Sequence, residues 1–136
     1  MQKNLLVLGF LVILITSFIS GCQEQEAVKT SNLEKIKFES ELVELIYSNI
    51  TKHIDGEEVL RAEVEYLFKN IAGRDINLTV FVEFYNINNE LLYTGGPKYI
   101  NLLDGWTEHG ISPTNTISYS GKRADEVDYV KIIASE

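Results

Sequence analysis

Apolar and polar residues alternate with a period of two across the middle of this chain. From Leu60 to Lys69 the even positions Leu60, Ala62, Val64, Tyr66 and Phe68 are apolar, with Arg61, Glu63, Glu65 and Lys69 between them. A β-strand sends successive side chains to opposite faces, so this pattern predicts a strand with one face in a core and the other in water. Ile76, Leu78, Val80, Val82 and Phe84 repeat it against Asn77, Thr79, Glu83 and Tyr85. Asn70 to Asp75, between the two runs, is rich in turn formers, which lets the strands either pair directly or cross between sheets.

Shorter runs follow at Leu91 to Thr94, Tyr99 to Leu103, Thr114 to Tyr119 and Val127 to Ala134. Asn88-Asn89, Gly95-Gly96-Pro97, Asp104-Gly105 and Ser120-Gly121 punctuate them as turns. An earlier run, Glu41 to Asn49, ends before Asp55-Gly56 and brings the number of expected strands to about seven. With no helical pattern after residue 50, the reading is all-β: one small antiparallel β-sandwich of immunoglobulin-like type over residues 33–136. Between Leu33 and Ile50 the apolar residues Phe38, Leu42, Ile46 and Ile50 also recur at helical spacing, so that stretch fits either element; a strand is expected.

The N-terminus follows a different pattern. Lys3 precedes 15 uncharged, mostly apolar residues from Leu5 to Ile19, and small residues Ser20 and Gly21 follow. That is the three-part form of a secretory signal, a signal helix too short for the ~20 residues that span ~30 Å of hydrocarbon. Ile19-Ser20-Gly21-Cys22 resembles the lipobox of prokaryotic lipoproteins. The resemblance implies cleavage after Gly21, a diacylglyceryl thioether on Cys22, and a lipid anchor on the extracytoplasmic side of a cell membrane, at the surface or in the periplasm. Two or more acyl chains hold a protein stably where one does not. By the same resemblance, Gln23 is the type of residue that permits release to an outer membrane. An uncut membrane helix, or ordinary cleavage leaving a free thiol, is the competing outcome. Residues 22–32, polar and without periodicity, read as a flexible tether.

Composition narrows the field. The chain has 136 residues, room for one domain. Without residues 1–21, which hold Lys3 and no acid, 11 basic and 20 acidic side chains leave a net charge of −9. Such a surface repels nucleic acid, which is excluded as a partner. One cysteine permits neither an intramolecular disulfide nor a cysteine-based zinc cluster. No cofactor and no metal is expected.

Candidate chemistry is sparse. The histidines are His53 and His109, and there is no HExxH, GxSxG or glycine-rich phosphate loop. The expectation is therefore a protein that is not an enzyme. His53-Ile54-Asp55 places two ligand-type side chains on one face of a strand, and equally suits a polar turn into Gly56. Asp104 to Gly110 holds Trp106, Glu108 and His109, a candidate site for a cation or sugar with Trp106 as stacking platform. A tryptophan closing one end of the sandwich is the plainer reading. Glu57-Glu58, Glu63 and Glu65 read as solvated acids. Leu67, Phe81 and Tyr85 fall on the face otherwise polar, where aromatic residues mark a protein contact unless a loop or edge strand covers them. Asn49-Ile50-Thr51 and Asn77-Leu78-Thr79 are glycan acceptors only in a host with that machinery.

Val82-Glu83-Phe84-Tyr85-Asn86, followed by the Asn88-Asn89 turn, resembles the FxLYD family of small extracytoplasmic domains. Val82 stands for the family's Phe, Phe84 for its Leu and Asn86 for its Asp, with Tyr85 matching outright. The resemblance, extending in layout over Val59 to Ala134, implies a sandwich and no catalytic residues. Together these features lead to a lipid-anchored, non-catalytic domain that binds a protein or envelope component. The alternative is a surface lipoprotein binding a small ligand or cation through the loop from Trp106 to His109.

Overall fold

The two alternating runs become the inner walls of a sandwich. Ala62, Val64, Tyr66 and Phe68 from one and Ile76, Leu78, Val80, Val82 and Phe84 from the other are almost wholly buried. The computed structural model describes residues 28–30, 33–109 and 116–136. In chain order its strands are β1 (Val28–Thr30), β2 (Ile36–Glu39), β3 (Val43–Asp55), β4 (Glu58–Asn70), β5 (Ile76–Tyr85), β6 (Leu91–Leu102), β7 (Thr107–His109), β8 (Ile117–Tyr119) and β9 (Tyr129–Ser135). Short 3-10 turns cover Leu33–Lys35 and Ala124–Glu126. Among the described residues no helix is long and apolar enough to cross a membrane.

The strands form two sheets. One has the order β1-β3-β4-β7, with β8 also paired to β4; the other runs β2-β9-β5-β6. The chain crosses between sheets from β4 to β5, returns from β6 to β7 and crosses again from β8 to β9. The fold is thus an all-β sandwich, antiparallel except where β2 runs parallel to β9. The stretch from Leu33 to Ile50 bears strands, β2 and the start of β3, and Ile36 and Phe38 pack against the core on a period of two.

Three features depart from the sequence pattern. Leu91 to Leu102 is one strand, not two, because Gly95-Gly96-Pro97 makes a bulge within it rather than a turn. A Cβ on Gly95 would lie 2.5 Å from Ile117 Cγ2, so the missing side chain lets β6 close onto β8 across the sandwich. Val28–Thr30, inside the expected tether, is β1, pairing antiparallel with Ile50 to Lys52 of β3. Three residues are too few to show a period, so no sequence pattern marked them. Leu60, assigned to the buried face, is 44% exposed, at a break in the β3–β4 register where it is the extra residue between Val59 and Arg61.

The ends of the molecule differ. At one end lie the β3–β4 hairpin at Asp55 to Glu58, the β5–β6 turn and the loop from Ser120 to Asp128. At the other lie residues 40–42, the β4–β5 turn at 71–75 and the β6–β7 turn at 103–106. The last two are bound together by Asn70, whose backbone N–H donates to the Trp106 carbonyl at 2.9 Å. Cys22 and its motif Ile19, Ser20 and Gly21 lie outside the described residues.

Candidate functional site

The face with Phe81 and Tyr85 is the outer side of the β2-β9-β5-β6 sheet. Neither side chain stands free; both are half-buried among neighbours on the same face. Tyr85 lies opposite Tyr129 on β9, their rings stacked 4.9 Å apart and 3° from parallel. The Lys37 ammonium lies 4.2 Å from the centre of the Tyr129 ring, completing a ladder across three strands. The Tyr85 hydroxyl donates to Glu83 Oε2 at 2.7 Å. That bond, with burial and the carboxylate charge adding to it, pushes the phenol up to about 12. Phe81 lies opposite Ile133, against the backbone of Gly96. These aromatics spend their ring faces on each other and on the sheet. Tyr99, on the neighbouring edge strand β6, is 78% exposed.

The stretch from Asp104 to His109 is divided between a turn and strand β7. Trp106 ends a turn, its N–H donating to the Leu103 carbonyl at 3.0 Å, and its side chain is 63% exposed. It does not plug the end of the sandwich, since Leu102, Phe68 and Ile76 already fill the core there. Glu108 and His109 belong to β7, in register with Phe68 and Leu67, residues on opposite faces of β4. Among the described residues no three His, Cys, Asp or Glu side chains gather to hold a metal.

The organiser of this end is Asn70, a buried residue that sequence reasoning passed over as a turn former. Its Nδ2 lies 2.8 Å from the Arg74 carbonyl and 3.1 Å from those of Leu102 and Leu103, while Oδ1 accepts from the Ala72 N–H at 2.9 Å. Ile71 N–H donates to the Leu42 carbonyl. Three loops are thereby locked, and on them Ile71, Leu103 and Trp106 are 54%, 42% and 63% exposed. An Asn directly before a Gly-containing turn was the available signal.

Asn86 plays the matching part at the opposite end. Its Oδ1 accepts from the N–H groups of Asn88 and Glu90, closing the β5–β6 turn. Glu90 also meets Arg123 through two bonds of 2.8 Å, and Arg123 bonds Glu126. The guanidinium holds the Glu90 carboxyl down at about 2 and that of Glu126 below its ordinary range. An open groove of about 710 Å³ separates Asp55, Glu57 and Glu58 from Lys122 and Asp125.

His53 and Asp55 do not converge. His53 Nε2 is buried without a hydrogen-bond partner, 3.5 Å from Glu63 Oε1, whereas Asp55 is exposed at the hairpin. Glu63 is therefore no free solvated acid; it also lies 3.4 Å from Arg61. Of the two sequons, Asn49 is only 2% exposed and donates to Thr51 Oγ1, while Asn77 is exposed on β5.

The fold and its surfaces define a β-sandwich with an apolar loop end and no assembled polar centre among the described residues. No family model matches the chain, and no curated protein does. Among solved structures it is similar to the crystal structure of Campylobacter jejuni cj0090, at 13% identity and a TM-score of 0.47, covering 74% of this chain and 98% of that one.

Proposed function

We propose that this chain is a lipid-anchored, non-catalytic, immunoglobulin-like domain on the extracytoplasmic side of a membrane that binds a protein or envelope component. The observation that carries the binding reading is the set of large apolar side chains left open on rigid loops, Trp106 foremost, where burial would be favourable by roughly 25 cal/mol per Å². The lipobox resemblance at Ile19 to Cys22 supports the anchor. The second possible contact, the open edge of β6, is interrupted at Pro97, which has no N–H to offer an added strand.

The anchor is tested by the intact mass of the protein from the membrane fraction of its host, beside Cys22→Ala. A mass of residues 22–136 plus a diacylglyceryl group, lost in the variant, is the expected result; a full-length mass in both overturns it. The small-ligand reading is favoured by one observation, the open ring of Trp106. It predicts an emission shift with sugars or divalent cations that His109→Ala abolishes.

A further inference from the structure

We infer that the end of the sandwich bearing Ile71, Leu103 and Trp106 is presented away from the membrane, and that it docks a protein offering an apolar pocket with a cationic rim. This rests on the lipid-anchor reading above. The first argument is where the chain leaves the structure. β1 begins at Val28 opposite Lys52, three residues from the end of β3, so the described chain starts near the β3–β4 hairpin. Six residues from Cys22 to Val28 reach at most about 20 Å even when extended, which keeps Val28, near the hairpin end, within that distance of the lipid. The 13-residue strands β3 and β4 then carry the chain about 40 Å farther, at roughly 3.3 Å per residue, to the Trp106 end. That end lies on the far side of the domain from the point of attachment.

The second argument is charge. Exposed Glu41, Asp75 and Asp104 surround the apolar residues, while Arg74 is engaged by Glu136 through both carboxylate oxygens and Lys69 lies opposite Glu44. An acidic rim disfavours an anionic lipid surface and equally a second copy bearing the same rim, and it favours a cationic one. The third is rigidity. Asn70 locks the loops before any partner arrives, so little ordering entropy is lost on binding, and tryptophan is the side chain most enriched at binding hot spots.

Trp106 is the single tryptophan of the chain and reports on its own surroundings. The lipidated protein, its lipid verified by mass, is placed in phosphatidylcholine vesicles carrying doxyl-labelled lipid. Aqueous iodide is expected to quench Trp106 and the doxyl chains to leave it bright. Doxyl quenching with protection from iodide would mean that this end enters the bilayer, and would overturn the inference. Protection from both, with a particle mass that halves in Trp106→Ser as read through tyrosine absorbance, would show self-association and overturn it too. A protein without lipid that fails to bind vesicles removes the anchor, and the orientation falls with it.

The rim is tested on the same vesicles with an alternating Leu–Lys peptide and a Leu–Glu peptide of equal length. Only the first is expected to shift Trp106 emission to the blue. Ile71→Ser with Leu103→Ser should weaken it about tenfold, while Leu60→Ser with Ile87→Ser at the opposite end leaves it unchanged. Equal binding of both peptides, or equal loss in the two double variants, overturns the assignment. Trp106→Gln, followed by anisotropy of a labelled peptide, gives the same reading should the Ile71 variant fold poorly.

Discussion

Asn70 and Asn86 show how one buried amide can set the shape of a loop end. The Asn70 side chain lies within bonding distance of the carbonyls of Arg74, Leu102 and Leu103, and its contact with Leu102 is buried, so Asn70→Ala takes a donor from inside the fold and unties the two turns. Leaving buried acceptors unmet costs about 2 to 3 kcal/mol, which in a domain of this size lowers the melting temperature by roughly 10 to 20 °C. Calorimetry checks this, and a loss under about 3 °C would show that the loops hold without the amide. The sequence marked Asn70 as a turn residue but could not reveal its partners, which lie 32 and 33 positions away at Leu102 and Leu103. Glu90 makes a second case at this scale. Its carboxyl is held at about 2 against an ordinary 4.5, so the stabilisation from its contact with Arg123 is complete above pH 4.5 and is lost as the pH falls toward 2. Carboxyl carbon NMR should follow that titration, and Arg123→Ala should return it toward the ordinary range. An unmoved Glu90 in that variant would assign the shift to Asn86 instead.

At the scale of elements, alternation revealed β4 and β5 because each has a core face and a solvent face over five repeats. It could not reveal β6 as one strand. Gly95 and Gly96 read as punctuation, yet they serve close approach. Gly96 has φ of +110°, and a Cβ there would lie 2.6 Å from the Val80 carbonyl oxygen. Gly96→Ala therefore combines backbone strain with a clash against backbone that cannot swing aside, a loss of about 2 to 4 kcal/mol. A chemical denaturation midpoint near that of the parent would contradict it. The short strands β1 and β7 escaped notice because three residues carry too little period. The candidate loop is shorter than its sequence suggests: Trp106, Glu108 and His109 are close in sequence, but β7 begins at Thr107 and takes the last two into a strand. Tyr85 was placed on the correct face, while its stacking on Tyr129 needed the β5–β9 register, which local sequence does not encode.

For the whole molecule, the sheet order concentrates stability unevenly. β5 and β9 are the inner strands of one sheet, paired on both sides, and their inward residues Val80, Val82, Phe84, Val130 and Ile132 are fully buried. Native-state hydrogen exchange should be slowest there and fastest from Ile87 to Asn88 in the exposed β5–β6 turn. Uniform protection across both groups would argue against this gradient. The all-β class was legible because a sandwich needs little beyond period-two strands and turns. Which strands lie inside was not, since β2 meets β9 across more than 90 positions.

That long-range pairing has a consequence for how the chain is made. β9 separates β2 from β5, so the second sheet lacks its middle until residues 129–135 have been synthesised. A nascent chain that stops at Asp128 holds β2 with no neighbour and β5 with only β6 beside it. The second sheet therefore closes late: the edges of β2 and β5 that β9 fills stay unpaired until residues 129–135 arrive, while the first sheet needs no residue beyond Tyr119.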